Sequence, residues 1–259
     1  MTLESDRELA ERLVRAAGGI ALELRGGAAE VKAEGPTDLV TEADRRAEAL
    51  LLDLLREERP GDGVVGEEGG AVAPAGARRW VLDAVDGTHN YARGVPLWCA
   101  AVALLDADGP LACAVYDAER DELFSAARGE GATVGGRPLR TGGVAELGSA
   151  SVAMFVDVRR RDPEAIALNA AVAERVGSLR CLGSGSLELA YVAAGRVDAW
   201  LQPDSEPWDW HPGALLVREA GGVARVDGRW YVASRSPALA GELLALTAPP
   251  TLRRSDGDP

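Results

Sequence analysis

The sequence predicts an α/β protein of the layered α+β kind, in which helix pairs alternate with mixed or antiparallel sheets. Three observations support this prediction. Apolar residues recur with a helical period before residue 60, and strand signals separated by short turns follow between 97 and 139. In the second half, strands and helices alternate without the regular rhythm of a parallel sheet. The 259 residues suffice for one large domain or for two lobes with a shared core.

Two amphipathic helices open the chain. Residues 5–25 place apolar side chains on one helical face, and the glycines at 26–27 end that helix. Thr41 is the predicted N-cap of a second helix that runs to about Arg59. We expect the two helices to cover one face of a sheet as a pair. Their predicted buried positions are Leu9, Leu13, Ala16, Ala17, Ile20 and Leu24 in the first helix and Leu50, Leu51, Leu54 and Leu55 in the second.

The middle of the chain is predicted to form strands. Residues 64–69 indicate a strand that runs into a loop, 70–79 have the composition of a linker, and an apolar strand starts at Trp80. Turn residues separate the apolar runs that follow, which is typical of an antiparallel meander. The predicted meander strands are 97–105, 111–116 and 122–126, with a further turn and strand at 135–139.

Small and polar residues at 141–150 indicate a boundary, so we expect an N-terminal lobe over 1–146 and a C-terminal lobe over 147–259. The second lobe is predicted to complete a site that the first lobe begins. Its predicted strands are 150–156, 180–182, 197–201, 223–226 and 229–233, and its predicted helices are 163–176, 186–194, 212–220 and 237–246.

Bulk composition limits the classes of function. The net charge of −13 argues against nucleic acid as the main partner, because phosphate backbones need clustered Lys and Arg. Residues 1–25 lack the apolar core of a signal peptide, and no stretch approaches the roughly 20 apolar residues that cross a bilayer. Cys99, Cys113 and Cys181 are too few and too scattered for a disulfide framework or a thiolate metal cluster. We therefore expect a soluble cytoplasmic protein without a membrane partner.

Residues 80–90 carry the strongest chemical signal. A short apolar run leads to two acids, Asp83 and Asp86, around an apolar pair. Two carboxylates at the end of a buried strand repel each other unless a cation lies between them, and a hard ion such as Mg²⁺ takes oxygen ligands. Gly87 and Thr88 suit a turn into a helix whose first N–H groups face an anion such as phosphate. The stretch therefore predicts a site for metal and phosphate.

Four further blocks accompany this stretch in a fixed order along the chain. Together the blocks resemble the inositol monophosphatase family of magnesium-dependent, typically lithium-sensitive phosphomonoesterases. Each block alone is a weak signal, but the combination covers nearly the whole chain. The resemblance implies a five-layer αβαβα sandwich of the sugar-phosphatase type, and a homodimer. The blocks are 36–44, 66–68 (Gly-Glu-Glu), 83–90, 183–186 (Gly-Ser-Gly-Ser) and 208–222.

The resemblance implies a site for two to three Mg²⁺ ions, for which Mn²⁺ is a substitute. Glu67, Asp83 and the carbonyl of Val85 are implied to hold the first ion. Asp83, Asp86 and Asp209 are implied to hold the second, with a third, looser ion near Glu67. Paired cations offset the charge of a phosphate dianion and lower the pKa of bound water, which favours in-line displacement of the alcohol.

The resemblance also implies catalytic and substrate-binding residues. Asp44 and Thr88 correspond to a water-orienting pair in which the carboxylate accepts a hydrogen bond from the hydroxyl, although helix capping is an alternative role for both. Glu68 is expected to fix a water or a ligand of the metal site. Glu188 and Asp198 are interpreted as structural charges. The implied substrate-binding residues are Asp86, Gly87, Thr88, His89, Gly183, Ser184, Gly185, Gln202 and Asp209.

Several residues depart from the family pattern on the alcohol side of the substrate. Ala84 stands where a proline is usual, and His89, in place of a small residue, either reaches the substrate or caps the helix. Gln202 stands where a glutamate usually accepts a hydrogen bond from a substrate hydroxyl, and an amide lacks that charge. His211 either packs inside the protein or faces the ligand.

The predicted reaction is hydrolysis of a small phosphate monoester, with an inositol or sugar phosphate as the leading substrate. Trp98 resembles a residue of relatives that act on histidinol phosphate, and Asp204 and Glu206 suit a cationic amine. Histidinol phosphate or an amino-sugar phosphate is therefore the alternative, and fructose 1,6-bisphosphate and 3′-phosphoadenosine phosphate stay open. A non-catalytic regulatory or binding protein on the same fold is the alternative from another class.

Overall fold

The computed structural model describes residues 5–25, 32–33, 39–143, 146–155 and 162–247. The predicted glycine stop at 26–27, the start of the 36–44 block and the end of the predicted strand at 150–156 lie outside these ranges. Within them, no helix has the length and apolar composition that a bilayer crossing needs. The helices are Asp6–Leu24 (α1), Glu42–Glu58 (α2), Thr88–Ala92 (α3), Pro163–Ala173 (α4), Gly185–Ala193 (α5), Pro207–Glu219 (α6) and Pro237–Ala245 (α7). The strands are Lys32–Ala33 (β1), Leu39–Val40 (β2), Gly63–Gly66 (β3), Ala71–Val72 (β4), Arg79–Asp86 (β5), Cys99–Asp106 (β6), Gly109–Asp117 (β7), Glu122–Ala127 (β8), Gly131–Val134 (β9), Arg137–Pro138 (β10), Ser151–Met154 (β11), Ser178–Arg180 (β12), Ala199–Pro203 (β13), Val223–Asp227 (β14) and Trp230–Ser234 (β15).

The first two helices begin at capping boxes. In α1 the Ser5 hydroxyl accepts the Glu8 N–H while the Glu8 carboxylate accepts the Ser5 N–H, and Thr41 and Asp44 form the second box at the start of α2. The apolar stripes of both helices share one core with the large sheet, which confirms the predicted helix pair. Burial of each fully buried leucine in these stripes, such as Leu9, Leu13 and Leu51, contributes roughly 1.5–3 kcal/mol.

The large sheet has eight strands in the order β10-β9-β8-β7-β6-β5-β3-β4. From β5 to β10 each strand pairs antiparallel with the next, which confirms the predicted meander. The 70–79 segment, predicted as a linker, contains the short strand β4. Strand β3 pairs parallel with β5, so the residues that follow both strands meet at one edge of the sheet. The pairing of β5 with β6 shifts register between Asp83 and Asp86, where the chain bulges.

The small sheet has five strands in the order β12-β11-β13-β15-β14. Helices α5 and α6 lie between the two sheets, because their apolar residues share one core with residues of both. Helices α4 and α7 pack on the other face of the small sheet. The layers therefore run α1 and α2, large sheet, α5 and α6, small sheet, α4 and α7. This confirms the predicted αβαβα sandwich.

The two sheets occupy separate parts of the chain. Strands of the large sheet lie within 63–138 and those of the small sheet within 151–234. The core around α5 and α6 joins both parts. The division into lobes between residues 146 and 147 stays a prediction, because residues of both parts pack in the same hydrophobic core.

Helix α6 corrects one predicted boundary. The sequence placed the start of a helix at 212, whereas the structure begins it at Pro207, a first-turn position that suits proline. Trp210 stabilises this turn because its ring stacks on Trp200, with 5.8 Å between the ring centroids. Asp209 therefore lies in the first turn of α6 and not in the preceding loop. The strand predicted at 180–182 is likewise observed earlier, as β12.

Candidate active site

Strand β5 carries two acidic side chains into the interior. Its apolar residues 80–82 are buried and anchor the strand in the sheet. Asp83 and Asp86 follow with only 2% and 7% of their surface exposed. The Val85 N–H donates a hydrogen bond to Asp83 Oδ1 at 3.0 Å, so the bulged backbone orients that carboxylate.

A third acid joins these two from the first turn of α6. Carboxylate oxygens of Asp83, Asp86 and Asp209 lie within 4.8 Å of one another. Desolvation raises the pKa of all three carboxyls, and neighbouring acids raise the pKa of Asp83 and Asp209 further. The pKa of Asp86 is raised by desolvation and lowered in part by hydrogen bonds from the 184–186 loop. Converging oxygen atoms with excess negative charge are a donor set that fits a hard divalent cation.

The loop after β3 brings Glu67 to the same edge. The residue as a whole is exposed, but its carboxylate lies beside Asp83, where it is partly desolvated. This desolvation, with the charges of Glu68 and Asp86, raises the pKa of Glu67 to about 8. Glu67 therefore lies beside the acidic cluster, with Glu68 next to it, and its role as a metal ligand stays a prediction.

The same loop is held from α2 by Glu48, a residue that the sequence analysis missed. The Glu48 carboxylate is buried and accepts the N–H groups of Glu68 and Gly70, both at 2.9 Å. A Cβ on Gly66 would lie 2.4 Å from the Glu48 carboxyl carbon, so the loop passes directly over this acid. The signal that could have found Glu48 is its position one helical turn after Asp44.

The predicted pair of Asp44 and Thr88 is in contact. The Thr88 hydroxyl lies 3.0 Å from Asp44 Oδ1 and 3.1 Å from the Val85 carbonyl oxygen, and both are acceptors. The Thr41 N–H donates to Asp44 Oδ2 at 2.8 Å, and the Thr41 hydroxyl donates to the same oxygen. Burial raises the pKa of Asp44, and these hydrogen bonds lower it in part. Asp44 therefore caps α2 and accepts from Thr88 at once.

The loop before α5 contacts Asp86. The N–H groups of Gly185 and Ser186 donate to Asp86 Oδ1 and Oδ2 at 3.2 and 2.6 Å. Ser184 is buried beside this contact. The sequence analysis placed 183–185 among the substrate-binding residues, and Ser186, the last residue of that block, makes the shorter of the two contacts.

Gly87 occupies a position that only glycine fits. Its φ of 98° lies in the left-handed region. A Cβ there would lie 3.0 Å from the Leu97 carbonyl oxygen and 3.2 Å from that of Gly183. Gly87 therefore allows β5 to turn into α3 while the 183–186 loop passes close by.

Two residues considered for substrate recognition make other contacts in the fold. His89 is exposed on α3, where its Nδ1 lies 3.2 Å from Nη1 of Arg93. Trp98 is buried, and its indole N–H donates to Glu119 at 2.9 Å. Trp98 is therefore a core residue, which weakens one of the observations that favoured histidinol phosphate.

Residues on and after β13 do not favour the binding of a substrate amine. Gln202 is partly buried on β13 and lies opposite Tyr231 in the small sheet. Asp204 forms an ion pair with Arg229, so its charge is already offset. Burial lowers the pKa of His211 to about 4, with Arg218 and Arg79 contributing, so its imidazole is neutral at physiological pH.

The arrangement of these side chains defines a class of protein. Buried acids that converge at one sheet edge, beside a hydroxyl held by a carboxylate, are typical of a metal-dependent phosphomonoesterase. The sequence profile of the inositol monophosphatase family matches residues 2–251. The chain belongs to the inositol monophosphatase family.

Individual relatives agree with this assignment. An inositol-1-monophosphatase of Rhizobium meliloti is 39% identical over 197 residues, which cover 74% of each chain. The Nus factor SuhB of Escherichia coli is 35% identical over 199 residues, covering 76% of this chain and 74% of that protein. The crystal structure of the extragenic suppressor protein suhB from Bartonella henselae superimposes with a TM-score of 0.86 at 28% identity, covering 91% of this chain and 95% of that one.

Proposed function

We propose that this phosphomonoesterase hydrolyses a small phosphate monoester with Mg²⁺ as its cofactor, and that its substrate is an inositol monophosphate or a sugar phosphate. The observation that carries the proposal is the convergence of the Asp83, Asp86 and Asp209 carboxylates within 4.8 Å. The relative named inositol-1-monophosphatase supports the substrate class. A homodimer belongs to the proposal through the family resemblance alone, and a cytoplasmic location through the few, scattered cysteines.

The proposed metal ligands are the oxygens of the acidic cluster. Glu67, Asp83 and the Val85 carbonyl would hold one ion, and Asp83, Asp86 and Asp209 a second, with two to three ions in total. The fit rests on the donor set, because these carboxylates repel each other unless cations or protons offset their charge. When bound, such ions offset the charge of the phosphoryl group and lower the pKa of water.

Thr88 and Asp44 are proposed to orient the attacking water. The single Thr88 hydroxyl proton has acceptors in Asp44 and in the Val85 carbonyl, so the lone pairs of its oxygen are left to accept a hydrogen bond from water. Asp44 is held in turn by Thr41. A water fixed in this way attacks phosphorus in line with the departing alcohol oxygen, and such positioning is a main source of rate in phosphoryl transfer. Glu68 is proposed to hold a further water or ligand of the metal site.

The alcohol side favours a neutral polyol. The proposed contacts there are Gln202, His89 and the 183–185 loop beside Gly87. An amide such as Gln202 both donates to and accepts from a hydroxyl but attracts no cation. Because Asp204 is paired with Arg229, less negative charge is available for a substrate amine. These observations support inositol and sugar phosphates over histidinol phosphate.

Phosphate release from a substrate panel tests the proposal. The panel contains an inositol monophosphate, a hexose phosphate, fructose 1,6-bisphosphate, an amino-sugar phosphate, histidinol phosphate, 3′-phosphoadenosine phosphate and an aryl phosphate, each with Mg²⁺ and with chelator. We expect Mg²⁺-dependent release that is fastest for inositol or hexose phosphate, is abolished in Asp86→Asn, and is unchanged in the control Glu164→Gln, whose side chain is 72% exposed. Faster release from the amine-bearing esters would contradict the proposed substrate, and release that is unaffected by chelator would contradict the proposed cofactor.

A binding role is a second candidate, because several relatives are named Nus factors. The net charge of −13 disfavours nucleic acid as the partner. The test is fluorescence anisotropy with single-stranded RNA at low and at physiological salt. We expect no salt-dependent binding, and a micromolar affinity that weakens steeply with salt would support the binding role instead.

A further inference from the structure

Glu188 is a buried acid that the proposed reaction does not use. It lies in α5 among apolar neighbours, with 1% of its surface exposed. Its Oε1 accepts the N–H groups of Leu182 at 2.7 Å and Gly183 at 3.2 Å, and its Oε2 accepts the indole N–H of Trp200 at 2.9 Å. Burying a carboxylate is costly unless donors of this kind satisfy it. Two of its three donors belong to one loop, so the loop is what this acid holds.

That loop leads directly to the acidic cluster. The Leu182 peptide is also held at its carbonyl oxygen, to which the Asn90 side-chain amide donates at 2.6 Å. A few residues on, the N–H groups of Gly185 and Ser186 donate to the two carboxylate oxygens of Asp86 at 3.2 and 2.6 Å. The loop is therefore fixed at its start by Glu188 and ends on Asp86.

We propose that Glu188 is a positioning residue, whose carboxylate fixes the 182–183 peptides so that the following N–H groups keep Asp86 oriented toward a bound cation. The proposal rests on the proposed function, because it takes Asp86 as a ligand of that cation. It goes beyond the interpretation of Glu188 as a structural charge, which the sequence suggested.

The donor set explains why an acid is needed here. A glutamine has one accepting oxygen, which can serve the Leu182 and Gly183 N–H groups. Its NH₂ group would then face the Trp200 indole N–H, so that two donors would lie at 2.9 Å without an acceptor. Glutamine must therefore leave either the loop N–H groups or the indole N–H of Trp200 without an acceptor. Glu188→Gln keeps the size of the side chain and removes only this match of acceptors to donors.

The first test measures cation binding without hydrolysis. Metal-free protein is titrated with Mn²⁺ alone, and free Mn²⁺ is followed by electron paramagnetic resonance. We expect Glu188→Gln to weaken Mn²⁺ affinity about tenfold, in the range typical of residues that orient metal ligands. The control Asp198→Asn also loses a carboxylate that accepts a backbone N–H, from Ser151 at 2.8 Å. Among the residues that the structure describes, the side chain of Asp198 contacts Ser151 and Arg235 and not the loop, so this variant is expected to keep its Mn²⁺ affinity.

The second test follows the loop itself. Hydrogen exchange of metal-free protein reports the N–H groups of Leu182, Gly183, Gly185 and Ser186. We expect Glu188→Gln to speed exchange in the 182–186 peptide while exchange in the strands of the large sheet stays unchanged. Asp198→Asn is expected to leave exchange at 182–186 as in the wild type.

A rescue distinguishes positioning from mere packing. Trp200→Phe keeps an aromatic ring to stack on Trp210 and removes the indole N–H, so the amide of Glu188→Gln no longer faces a donor. We expect the double variant to bind Mn²⁺ within about threefold of the wild type, which makes the two changes strongly non-additive. A role in packing alone predicts that the double variant is at least as impaired as Glu188→Gln.

The outcomes separate this proposal from the proposed function. If folded Glu188→Gln keeps wild-type Mn²⁺ affinity and loop exchange, the role of Glu188 is refuted. If Glu188→Gln does not fold, the double variant decides: folding with Mn²⁺ affinity near the wild type supports the proposal, and failure to fold or bind refutes it. Wild-type protein that binds Mn²⁺ but releases no phosphate from any ester refutes the proposed function alone.

Discussion

The Thr88 hydroxyl has one proton and two acceptors within reach, on Asp44 and on the Val85 carbonyl. Its oxygen is consequently free to accept from a water, and this acceptor is lost when the hydroxyl is replaced by a methyl group of similar size. We expect Thr88→Val to lower kcat by about 10²–10⁴-fold with little change in KM, because the hydroxyl acts on the water and not on the bound ester. Steady-state kinetics of phosphate release measures both constants.

Thr88→Ser is the matched control for that prediction, since it keeps the hydroxyl and removes only the methyl group. Serine at this position is expected to retain kcat within about tenfold of the wild type. Equal losses in Thr88→Val and Thr88→Ser would show that the shape of the side chain matters and that the proposed orientation of water is wrong.

Residue roles could be predicted where a residue's chemistry stands out in the local sequence. Asp83 and Asp86 follow a buried apolar run, and the structure brings them together with Asp209. Glu48 accepts backbone N–H groups of a loop that begins 20 residues further along the chain, whereas Glu188 accepts those of the loop directly before its own helix. From sequence alone, an acid in a helix is interpreted as a solvated surface charge. The sequence does not show that Glu48 and Glu188 are buried.

At the scale of elements, the contact between α5 and α6 aligns the two helices that carry Ser186 and Asp209. Gly213 makes this contact close: a Cβ there would lie 2.2 Å from the Leu189 Cβ. Gly213→Ala is therefore expected to destabilise the fold by roughly 1–3 kcal/mol through overpacking. The free energy of unfolding from denaturant titration measures the loss.

The matched control for Gly213→Ala is Gly19→Ala, also within a helix. An added Cβ at Gly19 has nothing within 4 Å, so only helix propensity changes. This substitution is expected to stabilise the protein by about 0.5–1 kcal/mol. The same sign of change in both variants would show that the close approach of α5 to α6 does not decide stability.

Element types were more predictable than their ends. The antiparallel meander followed from apolar runs separated by turn residues, and the structure confirms it. The start of α6 was wrong by more than one turn, because Pro212 suggests a helix start but lies inside the helix. Packing of Trp210 on Trp200 fixes the true start, and such contacts between elements are invisible to local patterns.

At the scale of the whole molecule, the fold concentrates acids that are far apart in sequence. Asp44 comes from α2, Glu67 follows β3, Asp83 and Asp86 end β5, and Asp209 opens α6. Only the layer order and the parallel pairing of β3 with β5 bring them to one edge. The sequence predicted this convergence through resemblance to a family, since composition and periodicity alone do not predict which elements become neighbours.

This concentration of charge links global stability to pH and to cations. In the metal-free fold the pKa of Glu67 is raised from 4.5 to about 8, and the pKa values of Asp83, Asp86 and Asp209 are raised as well. The folded protein therefore binds protons that the unfolded chain releases above about pH 4.5. The stability that these four carboxyls contribute without metal is present in full at low pH, and the contribution of Glu67 is lost as pH rises from about 4.5 through about 8.

Divalent cations replace these protons, so their stabilising effect must grow over the same pH window. We expect the increase in Tm on adding Mg²⁺ to be about twice as large at pH 8.5 as at pH 5.5, measured by thermal unfolding with Mg²⁺ and with chelator.

Asp86→Asn removes one carboxylate charge from the acidic cluster. This variant is expected to flatten the pH dependence of Tm without metal and to reduce the Mg²⁺-induced increase in Tm at both pH values. An equal Mg²⁺-induced increase at both pH values would contradict the link, because ions that compete with protons for the same carboxylates bind less tightly where those carboxylates are protonated.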